Sequence, residues 1–209
     1  MHWASPLLAT LGLLAQQAVF ANPAYDELYR LYDYPRELSR RQVPVCYHHG
    51  CDTVGRVALS DEQWRQVTDH LATPADSAAA EREQVRAAIA DMERIVGELA
   101  GTSGDRAGDL AGLGTQQPQM DCVDEASNTT TYLTLFEQAG LLHWHSVEPR
   151  TSRGFLIIGG WPHYTALLRE TANDTRWVVD SWFRDNGEPP DVVDLPTWKD
   201  GWRPEGFVF

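Results

Sequence analysis

Residues 121–140 read DCVDEASNTTTYLTLFEQAG. Apolar residues have a helical spacing within this stretch and alternate with polar residues downstream of it. Within it, side chains that suit one helix face recur every three to four residues. These are Val123, Ala126, Thr130, Leu133 and Phe136. Gly140 is expected to end the helix, because glycine is favoured just beyond a helix C-terminus. Cys122 therefore lies in the first turn of a predicted helix.

Downstream of this helix, apolar and polar residues alternate, which is typical of strands that bury one face. The predicted strands cover residues 143–147, 155–158, 163–169 and 176–183. A turn is predicted at Asn173-Asp174 between the last two.

Upstream, capping residues predict two helices, from Ser60 to about Leu71 and from about Ser77 to Ala100. Residues 46–59 are predicted to be extended. A shorter helix is predicted before Pro35, with four tyrosines spaced as one stripe. These are Tyr25, Tyr29, Tyr32 and Tyr34. Helices followed by a mostly antiparallel sheet predict an α+β fold.

The composition limits the classes of partner. The 209 residues include 17 Lys and Arg against 30 Asp and Glu, which gives a formal net charge of −13. Such a charge repels phosphate backbones and anionic lipid headgroups, so we expect no nucleic-acid partner and no membrane-surface binding. The length and the 43% apolar content predict a single domain over residues 22–209. The C-terminal segment, with Pro189, Pro190, Pro196 and Pro204, is expected to wrap around that domain.

The N-terminus carries an export pattern. Residues 3–21 read WASPLLATLGLLAQQAVFA, an apolar run that ends in Val19-Phe20-Ala21, with small residues where a signal peptidase cuts. We expect residues 1–21 to be a signal peptide, which predicts a periplasmic or secreted protein with no membrane span after cleavage.

In an exported chain, three cysteines leave one unpaired. Cys46 and Cys51 end the short segment CYHHGC, and we expect them to form a disulfide across a tight loop. The alternative is a zinc site built from these two cysteines and His48 or His49.

A second histidine pair, His143 and His145, lies on one face of a predicted strand. The two could bind a metal jointly, but an exposed strand with two polar residues explains them without one. The sequence therefore predicts neither a metal nor a cofactor.

The unpaired Cys122 has the placement of a nucleophile, because the start of a helix favours a thiolate. Such a cysteine needs a base and a group that orients the base. If the last two predicted strands form a hairpin, His163 and Asp180 both lie far from its turn and come side by side. The alternative is that Cys122 is a buried, inert residue.

Three stretches, DCVDEASNTTTYLTLFEQAGLL, WPHYTALLRE and RWVVDSWF, resemble the transglutaminase-like cysteine peptidase superfamily, within an exported bacterial subgroup. The resemblance covers about residues 115–185 and implies a papain- or transglutaminase-like core. It implies that Cys122 is the nucleophile, His163 the general base and Asp180 the orienting acid. Val123 stands where many members have an aromatic residue.

Other residues near these positions have weaker candidate roles. Gln116 is a candidate oxyanion donor, although a plain loop glutamine explains it as well. Trp161 and Trp182 are candidate substrate contacts, with core or cleft wall as the alternative. Three carboxylates, from Asp121, Asp124 and Glu125, are expected to raise the pKa of the Cys122 thiol, so that its activation depends on His163.

The sequence therefore predicts an exported cysteine-dependent hydrolase or acyltransferase. The Cys122 thiolate attacks an amide or ester carbonyl, His163 protonates the leaving group, and an acyl-enzyme is released to water or an amine. The expected substrate is a peptide or protein, and the acidic surroundings favour a cationic segment. The alternative is a non-catalytic binding or structural module that keeps the fold.

Overall fold

Most of the helices precede the larger sheet along residues 22–109, 119–154 and 162–207, the part of the chain that this computed structural model describes. The helices are Pro23–Leu31 (α1), Asp61–Thr68 (α2), Ala78–Ala100 (α3), Cys122–Gln138 (α4) and Leu195–Lys199 (α5). The strands are Val43–Tyr47 (β1), Thr53–Val57 (β2), His145–Arg153 (β3), His163–Glu170 (β4), Arg176–Asp180 (β5) and Asp191–Asp194 (β6). The predicted signal peptide, the predicted strand 155–158, Gln116 and Trp161 lie outside the described residues.

The strands form two antiparallel sheets. One is the β1–β2 hairpin, and the other has the order β3-β4-β5-β6. Neighbouring strands in the larger sheet are joined in sequence order, and every pair is antiparallel. The predicted α+β class, with helices and a mostly antiparallel sheet, is confirmed.

Helix α4 packs between these elements, against β1, β3 and β4. The sequence predicts one buried face for it, but side chains on all its faces are buried as far as Phe136. Three of its hydroxyl groups bond to the helix itself: Ser127 donates to the Val123 carbonyl, Thr131 to that of Ser127 and Thr134 to that of Thr130. Thr129 instead contacts the Ser181 hydroxyl at 3.1 Å, and Thr130 Oγ1 has no partner among the described residues. A polar helix can be buried because most of its donors find partners, within the helix or next to it.

The predicted helix ends are confirmed. Ser60 and Gln63 form the capping box of α2, and the Ser77 hydroxyl caps α3. Gly101 and Gly140 follow α3 and α4 with φ of 80° and 69°, a conformation that costs glycine little.

The predicted tyrosine stripe is wrong. Helix α1 ends at Leu31, so that Tyr32 and Tyr34 lie beyond it, and Tyr29 is 43% exposed. Tyr25 and Tyr34 are buried instead, against Cys46 and Cys51. The spacing of four aromatic residues suggested one face, but the chain leaves the helix before the third of them.

The C-terminal segment does not simply wrap the domain, as the sequence suggests. Residues 191–194 form β6, which pairs with β5 and places Asp191 opposite Asp180. Asp194 then caps α5, where Pro196 occupies the first turn. A strand of four residues is too short for alternation to reveal, so the prolines dominate the pattern.

The prediction that His143 and His145 lie on one strand face is wrong, because β3 begins at His145 and the exposed His143 lies before it. The His145 side chain is buried, and its Nδ1 lies 2.8 Å from Glu81 Oε1. The backbone N–H groups of residues 143–145 also donate to the Glu81 carboxylate. His145 therefore anchors the start of β3 to α3.

No helix in the described ranges combines the length and the apolar character that crossing a bilayer requires.

Candidate active site

The larger sheet brings His163 and Asp180 together. Ala166 pairs with Val179, so that His163 at the start of β4 and Asp180 at the end of β5 are diagonal neighbours on one face. His163 Nε2 lies 2.7 Å from Asp180 Oδ2, and both side chains are buried. The carboxylate therefore holds the imidazole with its proton on Nε2, because Nε2 is the nitrogen that faces an acceptor.

Cys122 lies beside the same strand. Its Sγ is 3.7 Å from the carbonyl oxygen of Pro162, to which the thiol donates. The backbone N–H of Tyr164 also lies close enough to the sulfur to lower the pKa of the thiol. The thiol thus contacts the residues on both sides of His163. The described contacts include no hydrogen bond between Cys122 and His163, whose buried Nδ1 has no partner among the described residues.

The environment of Cys122 disfavours the thiolate. Burial raises the pKa of the thiol to about 12, and the charges of Asp121 and Asp180 act in the same direction. The Tyr164 N–H and the N–H of Cys122 itself oppose this effect. Cys122 is 4% exposed and is therefore a protonated thiol at neutral pH in this conformation.

The three carboxylates at the start of α4 do not act as a group. Asp121 does raise the pKa of the thiol, as expected, but Asp124 and Glu125 are directed elsewhere. Burial raises the pKa of Asp124 to about 7. Burial and the charges of Glu93 and Asp105 raise that of Glu125 well above its ordinary value. The largest cause of the shift at Cys122 is thus burial rather than neighbouring carboxylates.

The hairpin turn holds the start of α4. Cys46 and Cys51 are at disulfide-bonding distance across it, with their Cα atoms 4.6 Å apart. All of residues 48–51 have φ between 60° and 69°. This conformation directs consecutive N–H groups to one side, where they form an anion-binding nest. His49 and Cys51 donate to Asp124 at 2.8 and 2.6 Å, and Gly50 donates to Asp121 at 3.0 Å.

The alternative zinc site is not assembled by the described residues. The sulfurs of Cys46 and Cys51 are bonded to each other. His48 Nδ1 lies 3.1 Å from the Thr53 hydroxyl, and His49 Nε2 lies 3.3 Å from Asp109 Oδ2. Asp124 is the third member of the one group of potential ligands found in these ranges, and its oxygens already accept the N–H bonds of the turn.

Aromatic side chains surround the pair. The ring of His163 lies 4.7 Å from that of Trp182 and 5.2 Å from that of Phe183, centroid to centroid. Trp182 is 3% exposed and packs in the cluster with Cys122 and Phe183, and its role as a substrate contact stays a prediction. Trp202 and Phe207, from the C-terminal segment, pack on the cluster that contains Cys122.

The sequence did not reveal Trp198, although it contacts the candidate triad directly. Its Nε1–H donates to Asp180 Oδ2 at 2.8 Å, and its side chain is fully buried. The signal that predicts its helix is Asp194-Leu195-Pro196, an N-cap followed by a proline in the first turn. The proline-rich surroundings hid this start signal.

A second buried network lies under the site. Ser181, next to Asp180, donates to Glu93 Oε1 at 2.7 Å, and Met120 N–H donates to Asp105 Oδ1 at 2.6 Å. Burial raises the pKa of Glu93 to about 8 and that of Asp105 to about 7. At neutral pH Glu93 therefore retains a proton that the unfolded chain would release, and Asp105 is partly protonated.

Comparison of the chain with protein-family models, with curated proteins and with solved structures finds no match. The resemblance to the transglutaminase-like superfamily therefore stays a prediction from the residues.

The buried carboxyl groups predict how stability depends on pH. Since the pKa of Glu93 is raised on folding, its contribution is complete below the unfolded value and is lost as pH rises through about 8. Glu93→Gln should reduce the fall in unfolding free energy between pH 5 and pH 8 by on the order of 2 kcal/mol, measured by urea denaturation. The exposed Glu98→Gln on the same helix is the control, and an equal fall in the two variants would contradict the prediction.

The aromatic side chains that pack on the cluster of Cys122, the aromatic cover (Trp182, Phe183, Trp202 and Phe207), predict how Cys122 becomes accessible. Phe207 packs on Phe183, with ring centroids 4.8 Å apart, and on Trp182. Phe207→Ala should raise the rate of iodoacetamide labelling of Cys122 by about tenfold, because exposure lowers the pKa of the thiol. Tyr29→Ala, which removes an exposed aromatic residue of α1, should leave the rate unchanged. A Phe207→Ala rate equal to that of the unmodified chain would show that this residue does not shield the thiol.

Proposed function

We propose that this protein is an exported cysteine-dependent hydrolase or acyltransferase that acts on an amide or peptide bond through Cys122, His163 and Asp180. The observation that carries the proposal is the state of the His163 ring. Its Nε2 is engaged with Asp180 at 2.7 Å, whereas its buried Nδ1 has no partner among the described residues. A buried nitrogen without a partner is costly in a purely structural histidine, and it is what a base needs to accept the proton of a neighbouring thiol.

The chemistry follows from the three positions. When a substrate carbonyl enters, His163 Nδ1 takes the proton of Cys122, and the sulfur forms a bond to the carbonyl carbon. His163 then gives this proton to the leaving amine, and a thioester remains on Cys122. Attack by water or by a second amine, with His163 again as base, releases the acyl group and restores the thiol. Asp180 stabilises the imidazolium that forms in each step.

The resting thiol is protonated, so the proposed mechanism uses His163 as a general base and not a preformed ion pair. The starts of α4 and β4 contribute here, because the N–H of Cys122 and that of Tyr164 both favour negative charge on the sulfur. Since burial opposes that charge, productive binding requires substrate to displace part of the aromatic cover.

The compartment and the substrate class belong to the same proposal. The disulfide-distance pair Cys46–Cys51 is compatible with an oxidising compartment, in agreement with the export pattern of residues 1–21. Asp121 and Asp180 surround the thiol with negative charge, which favours a cationic peptide segment over an anionic one.

One observation favours a second candidate, a non-catalytic module that keeps the fold. Cys122 is 4% exposed, and its thiol donates to the Pro162 carbonyl, as that of an inert core cysteine would. The two candidates differ in whether His163 controls the reactivity of Cys122.

Labelling of Cys122 by iodoacetamide at pH 7, followed by mass spectrometry, separates them. His163→Ala should slow the labelling by about 10²-fold, because general-base assistance is lost, and Asp180→Asn should slow it by about tenfold. The control is His70→Ala, which removes another histidine in contact with an aspartate, since His70 Nε2 lies 3.0 Å from Asp91 Oδ2. If His163→Ala and His70→Ala label at the same rate, the enzyme proposal fails and the binding-module candidate stands.

A further inference from the structure

One carboxylate oxygen links the C-terminal helix to the candidate base. Asp180 Oδ2 accepts the Trp198 Nε1–H at 2.8 Å and lies 2.7 Å from His163 Nε2. The Trp198 ring also packs against the His163 ring, with centroids 5.5 Å apart. Two donors that converge on one oxygen fix the orientation of the carboxylate, and the fully buried indole keeps water away from it.

We propose that Trp198 is a positioning residue of this site: its indole N–H fixes Asp180 and so sets the pH range in which His163 accepts the proton of Cys122. This inference rests on the proposed function. It adds a fourth residue, from α5, to a site otherwise built from α4, β4 and β5.

The physical reason is the charge on the shared oxygen. A hydrogen bond to a carboxylate stabilises the ionised form, so that a donor to Asp180 lowers the affinity of the His163–Asp180 pair for a further proton. Loss of the indole N–H therefore leaves a pair that stays protonated to higher pH, and a protonated His163 cannot act as a base.

The other charged groups around Asp180 are held by contacts that a Trp198→Phe change keeps. The Arg153 guanidinium, from β3, lies 4.3 Å from the Trp198 ring centroid and also donates to the Trp198 backbone carbonyl. From β6, Asp191 faces Asp180, but its carboxylate accepts two bonds from Arg184 at 2.7 and 3.0 Å. From α4, Cys122 presents an uncharged thiol. A change confined to Trp198 therefore reports on its N–H group.

The experiment is the pH profile of iodoacetamide labelling of Cys122 in the full chain. Trp198→Phe keeps a buried ring and removes the donor. In this variant the low-pH part of the profile, where the labelling rate rises with pH (the acid limb), should move about one pH unit higher. At a pH on that limb the labelling rate should fall about tenfold, while the rate on the high-pH plateau is unchanged. A merely structural role would alter the plateau and leave the limb in place.

The matched control is Trp177→Phe. Trp177 lies on β5, as Asp180 does, and its indole N–H donates to Glu170 Oε2 at 3.3 Å near the other end of the strand. This variant loses the same kind of bond but not one to Asp180, so the acid limb of its pH profile should coincide with that of the unmodified chain.

The double variant tests the route of the effect. If Trp198 acts through Asp180, then Trp198→Phe should add no further shift in an Asp180→Asn background. A shift that persists there, or a Trp198→Phe limb that overlays that of the unmodified chain, would overturn the inference. Should Trp198→Phe not fold, Asp194→Ala removes the cap of α5, where Thr197 N–H donates to Asp194 Oδ1 at 3.0 Å, and should move the limb in the same direction.

Failure of the proposed function is recognised separately. If labelling of the unmodified chain does not depend on His163, the proposed enzyme is lost whatever Trp198 does. If it depends on His163 but not on Trp198, only the positioning role is lost.

Discussion

The burial of α4 on all sides is the constraint from which the other features follow. A helix that contains aspartate, glutamate, asparagine and four threonines can be buried only if its polar groups find partners. Within the helix, hydroxyl groups bond to carbonyls one turn earlier. Outside it, Asn128 bonds to both the N–H and the carbonyl of Cys46 on β1, at 2.7 and 2.9 Å. The position of the β1–β2 hairpin is therefore set by the polar side chains of α4.

The same constraint explains the unusual turn between β1 and β2. Asp121 and Asp124 begin a buried helix, and the N–H groups of residues 49–51 are what they bond to. Residues 48–51 are four consecutive residues with positive φ, which is costly for the three that are not glycine, and the pairing of Cys46 with Cys51 keeps them in that conformation. By holding the start of α4, this hairpin turn also keeps Cys122, the first residue of α4, next to the start of β4. Folding and the candidate chemistry thus depend on one contact region.

Much of this could be predicted from the sequence, because the signals are local. The capping residues Ser60 and Ser77 and the glycines after α3 and α4 mark helix ends by short-range geometry, and the structure places them there. The adjacency of His163 and Asp180 followed from a hairpin around Asn173-Asp174, which fixes which residues lie far from the turn. The catalytic roles of these residues stay predictions.

What the sequence could not supply was long-range contact. Nothing local indicates that Glu81 receives the N–H groups of residues 143–145, that Asp124 receives those of the hairpin turn, or that Trp198 reaches Asp180. The burial of Cys122 was only an alternative at the level of sequence, since its cover comes partly from Trp202 and Phe207, at the far end of the chain. The spacing of apolar residues also underestimates how much of α4 is buried, because its buried side chains include polar ones.

The central claim is that Cys122 forms a covalent acyl intermediate with the help of His163. The most direct measurement is to treat the full chain with p-nitrophenyl acetate, quench with acid and locate the added acetyl group by peptide mass spectrometry. One acetyl group is expected on Cys122, with formation strongly slowed by His163→Ala and absent in Cys122→Ala. An unmodified Cys122, or equal acetylation with and without His163, would contradict it.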